Sequence, residues 1–162
     1  METLYTPWRA GYLLGLGEPV EGCLFCVLAA RSDADGLIVH RGTSVFVALN
    51  RYPYTNGHLM LATFAHRASL SAMSPGERHE LADLAAAAEE VLAAAYRPDG
   101  FNEGLNIGRS AGAGVADHAH LHVVPRWDGD TNFMTVVGAT RTIPEELSFT
   151  REKLAAAFAA RP

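Results

Sequence analysis

Three histidines recur at alternate positions in His118-Ala119-His120-Leu121-His122. In an extended strand alternate side chains share a face, so the imidazoles point one way and Ala119, Leu121 and Val123 the other. Near neutral pH imidazole serves as nucleophile, general acid or base, or metal ligand. Clustered imidazoles also repel one another when protonated, so three at this period have poor value as mere surface. Two chemistries compete: a histidine-rich metal site, for which Zn, Cu and Fe are the suited ions, and nucleophilic catalysis. The segment just upstream, Ile107-Gly108-Arg109-Ser110-Ala111-Gly112-Ala113-Gly114, favours the second. A loop of glycines and small residues lets backbone N–H groups approach anionic oxygen closely. Beside three histidines it suggests a phosphate held against an imidazole.

The only cysteines, Cys23 and Cys26, stand in a C-x-x-C pair. They are half a metal site, a redox dithiol or two core thiols. A redox dithiol ranks last, because no thioredoxin-like strand-to-helix context surrounds it. A structural disulfide is not expected in a chain with no mark of secretion.

The elements that must position these residues are readable from periodicity. Residues 37–41 and 44–50 read as two strands joined at Gly42, with Val45, Val47 and Leu49 on one face. Arg51–Gly57 is a turn, marked by Pro53 and Asn56-Gly57, and the strand HLMLAT follows. Ser74-Pro75-Gly76-Glu77 carries the signals of a helix start: an N-cap, a first-turn proline and a capping-box partner. Leu81, Leu84, Ala85, Ala88, Val91 and Leu92 then form one apolar stripe, and Pro98-Asp99-Gly100 ends the helix. Further strands are expected at 101–107, 118–126 and 133–137, and a second helix from about Pro144 to Ala160. The apolar side of the histidine strand is expected to pack on the long helix, leaving the imidazoles on a more open face. Residues 1–22, broken by Pro7, Gly11 and Pro19, read as an arm with Tyr5, Trp8 and Tyr12 as anchors.

The chain has 162 residues, 49% apolar and 19% charged, with a formal charge of −5. That is one globular domain with a sizeable core rather than a disordered chain. No stretch reaches the length of a membrane span, and the N-terminus does not read as a signal peptide. The acidic balance argues against binding along a nucleic-acid backbone. A cytoplasmic protein is expected, with no membrane or nucleic-acid partner.

With these residues in view the sequence resembles the histidine-triad (HIT) family. HAHLHVV at 118–124 fits the motif His-φ-His-φ-His-φ-φ without a gap. Asn50 to His58 looks like the family's Asn…Pro…Gly-His turn, and Phe101-Asn102…Asn106-x-Gly108 like the approach to its phosphate loop. Pro7-Trp8-Arg9, Cys23-Leu24-Phe25-Cys26, Pro125-Arg126-Trp127…Asn132-Phe133 and Thr140-Arg141…Pro144-Glu145 resemble a bacterial branch similar to diadenosine tetraphosphate phosphorylases and hydrolases.

The resemblance implies an α+β fold: a mostly antiparallel sheet with a long helix on one face, an N-terminal arm (1–22), a catalytic core (23–140) and a C-terminal helix (141–162), usually as a homodimer. It implies catalysis by His120 as nucleophile on the α-phosphorus of a nucleotide, with His122 and His58 against the phosphate oxygens. Asn106, Gly108, Ser110 and Gly112 would meet the phosphate or leaving group and Asn50 the ribose, with no organic cofactor. The base would slot among apolar residues of the 37–50 hairpin, Val47 or Leu49 being candidates. Dinucleoside polyphosphates are the expected substrates. The alternatives are a phosphoramidate hydrolase, a pathway-specific nucleotidyltransferase and, in another class, a non-catalytic nucleotide-binding protein stabilised by zinc. Some relatives also look as if Cys23, Cys26, His66 and His118 would form a closed Cys₂His₂ structural zinc site; His66 lies eight residues after His58, as that pattern requires. One departure stands out: many relatives carry Ser or Thr three or four places before the first triad histidine, where this chain has Val115 and Gly114. Ser110 is the nearest candidate to supply the missing hydroxyl. Arg109 and Arg126 are candidates to meet polyphosphate; His40 and His79 read as structural.

Overall fold

Period-two apolar patterning dictates a sheet, and the computed structural model, which describes residues 21–130 and 145–161, contains it. Five strands, β1 (Ile38–Arg41), β2 (Val45–Leu49), β3 (Leu59–Thr63), β4 (Gly100–Leu105) and β5 (His120–Arg126), pair antiparallel in the order β1-β2-β3-β5-β4. Three helices complete the described chain: α1 (Leu24–Ala30), α2 (Pro75–Tyr96) and α3 (Leu147–Ala159). The expected strand 133–137 and the arm up to residue 20 lie outside the described residues. No described helix is long and apolar enough to cross a membrane.

On one face Val45, Val47, Leu49, Leu59, Leu61, Ala119, Leu121 and Val123 meet the stripe of α2, closed at the side by Leu154 and Phe158 of α3. The expected packing of the histidine strand on the long helix is therefore found. Removing this apolar area from water is the main driving force for the fold. Ser74 accepts from the Glu77 N–H, and the Glu77 carboxylate accepts from the Ser74 N–H at 2.6 Å, so the capping box is complete. The helix ends at Tyr96 because Arg97 turns left-handed ahead of Pro98.

Three expectations need correction. Val47 and Leu49 are 0% and 2% exposed inside the core under α2, so neither can line a base pocket. The face carrying the imidazoles is not open: α1, a helix the sequence pattern does not announce, roofs part of it with Phe25 and Leu28 over Phe46, Ala48, Met60 and Ala62. Seven residues, with Cys23 as N-cap and Cys26 inside, are too few to show a helical stripe. The last helix starts at Leu147, with Glu146 extended as its N-cap. Glu145 turns away instead and accepts from the Tyr96 hydroxyl at 2.6 Å and the Thr150 hydroxyl at 3.1 Å. Asn56 reaches the same carboxylate at 3.4 Å, tying the turn before His58 to α2 and α3.

Candidate active site and metal cluster

Register sets the site. β5 pairs with β3 through His120↔Ala62 and His122↔Met60, and with β4 through His122↔Gly104. Directly paired residues project from one face, so each imidazole stands over a small or flexible neighbour. β3 pairing ends at Leu59↔Val123. Beyond it, β5 faces the Asn50–His58 turn, and the Thr55 hydroxyl donates to the Pro125 carbonyl at 2.9 Å. Pro125 sits where no β3 partner requires its missing N–H. Gly57, at φ +78°, lies so close to α2 that a Cβ would come within 2.9 Å of Leu92. The turn is thereby pressed against the fold, and His58 is held with it.

Hydrogen bonds assign which nitrogen each imidazole presents, since a ring nitrogen that donates fixes the lone pair on the other. His120 Nδ1 lies 3.0 Å from the His118 carbonyl, which can only accept. Its Nε2 therefore carries the lone pair of a neutral ring. Burial pushes the His120 pKa below the ordinary histidine value, with the carbonyl opposing, which favours the neutral ring. His58 Nδ1 faces the Tyr54 N–H at 3.1 Å and the Asn50 amide nitrogen at 3.4 Å, so it accepts. His58 Nε2–H then donates to His122 Nδ1 at 2.9 Å, leaving His122 with a proton on Nε2. The His120 and His122 rings meet edge to face at 4.8 Å. Side by side, one ring offers a lone pair and the other a proton.

His58 is fully buried behind His122. It faces His122 rather than the open side of the site, because the Tyr54 ring stacks on it at 4.7 Å and the turn seals it in. Asn50 uses both ends of its amide inside the turn, the oxygen accepting from the Tyr52 N–H at 2.9 Å. In this geometry it serves His58 rather than standing open at a ribose edge. Gly108 and Gly112 adopt φ of +83° and +84° around a short 3₁₀ turn, Arg109–Ala111, a backbone path that glycine allows. Ser110 is exposed on that turn, Val115 packs against the core beneath α1, and Asn106 shares a cavity wall with His122.

His118 presents the opposite nitrogen. Its Nε2 donates to the Thr63 carbonyl at 3.0 Å, so Nδ1 keeps the lone pair. That lone pair lies 3.3 Å from Cys23 Sγ and 3.7 Å from Cys26 Sγ, and His66 Nδ1 lies 3.4 Å from Cys26 Sγ. The four donor atoms all fall within 4.8 Å of one another. Tetrahedral zinc with bonds of about 2.0–2.3 Å needs donors roughly 3.3–3.8 Å apart, and the spacings between these thiols and imidazoles match. Burial and the neighbouring Cys23 push the Cys26 thiol up, so two adjacent thiolates call for a cation. The cluster can hold a metal ion.

Sequence reasoning missed Phe25. Its ring lies between the two thiols along the chain and sits tilted against His120 at 4.5 Å and His118 at 5.3 Å. Its signal was the aromatic inside Cys-Leu-Phe-Cys, legible only once 23–30 is known to be a helix.

A HIT domain model matches residues 31–129. An AP-4-A phosphorylase from Mycobacterium tuberculosis is 39% identical over an alignment of 171 residues, covering all of this chain and 87% of that protein. Among solved structures, a Zn-bound histidine triad family protein from Mycobacterium smegmatis superposes with a TM-score of 0.68 at 24% identity, covering 85% of this chain and 94% of that one. A HIT family protein from Bacillus anthracis does so with a TM-score of 0.58 at 26% identity, covering 67% and 76%. The family model and the relative aligned over the whole chain agree, and this chain belongs to the HIT domain family.

Proposed function

We propose that this chain is a HIT-type nucleotidyl hydrolase or transferase acting on dinucleoside polyphosphates of the diadenosine tetraphosphate kind. The observation that carries the reading is the His120 Nδ1 bond to the His118 carbonyl, which leaves Nε2 unprotonated at the site. The likeness to the M. tuberculosis AP-4-A phosphorylase supports the substrate class.

His120 Nε2 attacks the α-phosphorus. An N–P bond forms, the P–O bond to the departing polyphosphate breaks, and the electron pair leaves with that oxygen. His122, protonated on Nε2, donates to a phosphate oxygen as charge builds there. His58 acts from behind, holding His122 in that tautomer. Backbone N–H groups of the 108–112 loop, Ser110 and Asn106 hold the remaining phosphate oxygens. An acceptor oxygen, from phosphate or water, then attacks phosphorus and the N–P bond breaks, restoring His120. One displacement is divided into two. Cys23, Cys26, His66 and His118 would hold zinc as a structural ion, which when bound would supply folding energy rather than act on the substrate.

The test is a quenched reaction with diadenosine tetraphosphate, with and without phosphate, read by mass spectrometry. ADP and ATP formed only with phosphate indicate a phosphorylase; AMP and ATP formed in water indicate a hydrolase. Either requires a nucleotide adduct on His120. Saturable AMP binding with no product and no adduct overturns the enzymatic reading in favour of a binding module.

A further inference from the structure

On the site face, His122, Val124 and Arg126 of β5 stand opposite Gly104, Asn102 and Gly100 of β4. Two of the three β4 positions have no side chain. A Cβ at either glycine would meet no atom within 4 Å. The strip beyond His122 is therefore floored by bare backbone, and a cavity of about 450 Å³ lies along it. His122 borders it near one end and Arg126 near the other, with Tyr54, Asn102 and Asn106 in the wall. His120 is not part of that wall. From His122 to Arg126 is about 13 Å by the rise of an antiparallel strand.

The far end is built to present nitrogen donors. Asp130 accepts from the Arg126 guanidinium at Nε (2.5 Å) and at Nη2 (2.8 Å), and Nη1 donates to Asn102 Oδ1 at 2.6 Å. Those bonds fix the plane of the guanidinium and leave the Asn102 NH₂ as a donor. Glu103 also borders the cavity, but its carboxyl engages Glu89 on α2. An amine leaving the α-phosphorus of a phosphoramidate needs none of this length. A polyphosphate carrying a second nucleoside does.

We infer that this cavity receives the departing half of the substrate, a nucleoside polyphosphate. Its phosphates run from His122 toward Arg126 and Asn102. The inference rests on the nucleotidyl-transfer reading and adds that leaving-group specificity is set at Gly104, Asn102 and Arg126. In the transfer step the departing oxygen keeps the electron pair of the broken P–O bond and moves away along this strip.

The test compares two substrates that share the adenylyl half, diadenosine tetraphosphate and adenosine 5′-phosphoramidate. The measured quantity is the ratio of their kcat/KM values in wild type, Arg126→Gln and Gly104→Val. The ratio is expected to fall at least tenfold in both variants, because only the dinucleotide uses the cavity. Gly104→Val fills the strip from a position with open space around it, so it decides the matter if Arg126→Gln fails to fold. A ratio that stays constant while both substrates slow together overturns the leaving-group site and leaves nucleotidyl transfer standing. Failure of wild type to form a His120 adduct from either substrate overturns both.

Discussion

His118 and His120 lie two residues apart, both almost fully buried, yet they present opposite nitrogens. His118 Nε2 donates to the Thr63 carbonyl and turns Nδ1 toward two thiols. His120 Nδ1 donates to the carbonyl of His118 itself and keeps Nε2 for the site. The residue type is the same and so is the strand; a single backbone acceptor for each ring decides which nitrogen keeps its lone pair, and so which ring suits the proposed ligand role and which the proposed nucleophile. If that contrast is real, the two ends must fail differently. His120→Asn is expected to lower turnover of diadenosine tetraphosphate by about 10⁴-fold or more while leaving AMP binding and thermal stability near wild type. Steady-state kinetics beside a thermal melt checks it, and a variant with wild-type turnover breaks the contrast outright.

The metal end should respond the other way. Cys26→Ser, or stripping with a strong chelator, is expected to lower the melting temperature by roughly 10 °C, since structural zinc contributes folding free energy directly. Metal content by mass spectrometry should fall with it. Wild type that melts at the same temperature with and without chelator would make the cluster two thiols and two imidazoles packed together. Phe25 bridges the ends, so some loss of turnover should accompany loss of metal, but it should follow the melt rather than precede it.

A finer division lies within the catalytic end. His58 is completely buried and reaches the site only through His122. His58→Gln is expected to reduce kcat by roughly 10- to 100-fold, the range for a group that only orients a catalytic partner. KM should move little, because His58 does not face substrate. A KM rise with kcat intact would place His58 in binding instead.

Most of the sheet and the whole histidine strand were legible because period-two alternation is strong in 44–50 and 118–124. The long helix was legible to within a residue at its N-cap, because Ser74, Pro75 and Glu77 each carry a local mechanism. What stayed hidden depends on pairing between distant segments. Nothing near Val47 says which face of β2 the helix will cover, so its place in the core could not be told from a place in a pocket. α1 is too short to show a period, and the histidine face looked open for want of it. The thiols and His66 were joined to His118 by a resemblance in spacing, which geometry now supports. The engagement of Asn50 by His58, and of Arg126 by Asp130 and Asn102, requires side-chain positions no pattern encodes.

The smallest expected effect tests how the metal end is held in place. Arg67 follows His66, and its carbonyl accepts from the Ala119 N–H at 2.6 Å, tying that loop to the strand carrying His118. Glu77, 7% exposed, holds Arg67 by a 3.3 Å ion pair while capping α2. The backbone N–H of Ser74 draws its carboxyl below the usual carboxylate range, burial opposes this, and the Ser74 hydroxyl and Arg67 add to the downward pull. A carboxyl with a depressed pKa in the folded state stabilises the fold above its ordinary value and loses that contribution as pH falls through the folded value. Glu77→Gln should therefore be less stable than wild type by about 1 kcal/mol at neutral pH. The gap should narrow below pH 4.5, the ordinary glutamate value, and close once wild-type Glu77 is protonated. Paired urea melts across that range measure it, and any metal linkage shared by the two proteins cancels in the difference. A gap independent of pH would mean that Glu77 acts through packing alone and that its charge does not hold the His66 loop.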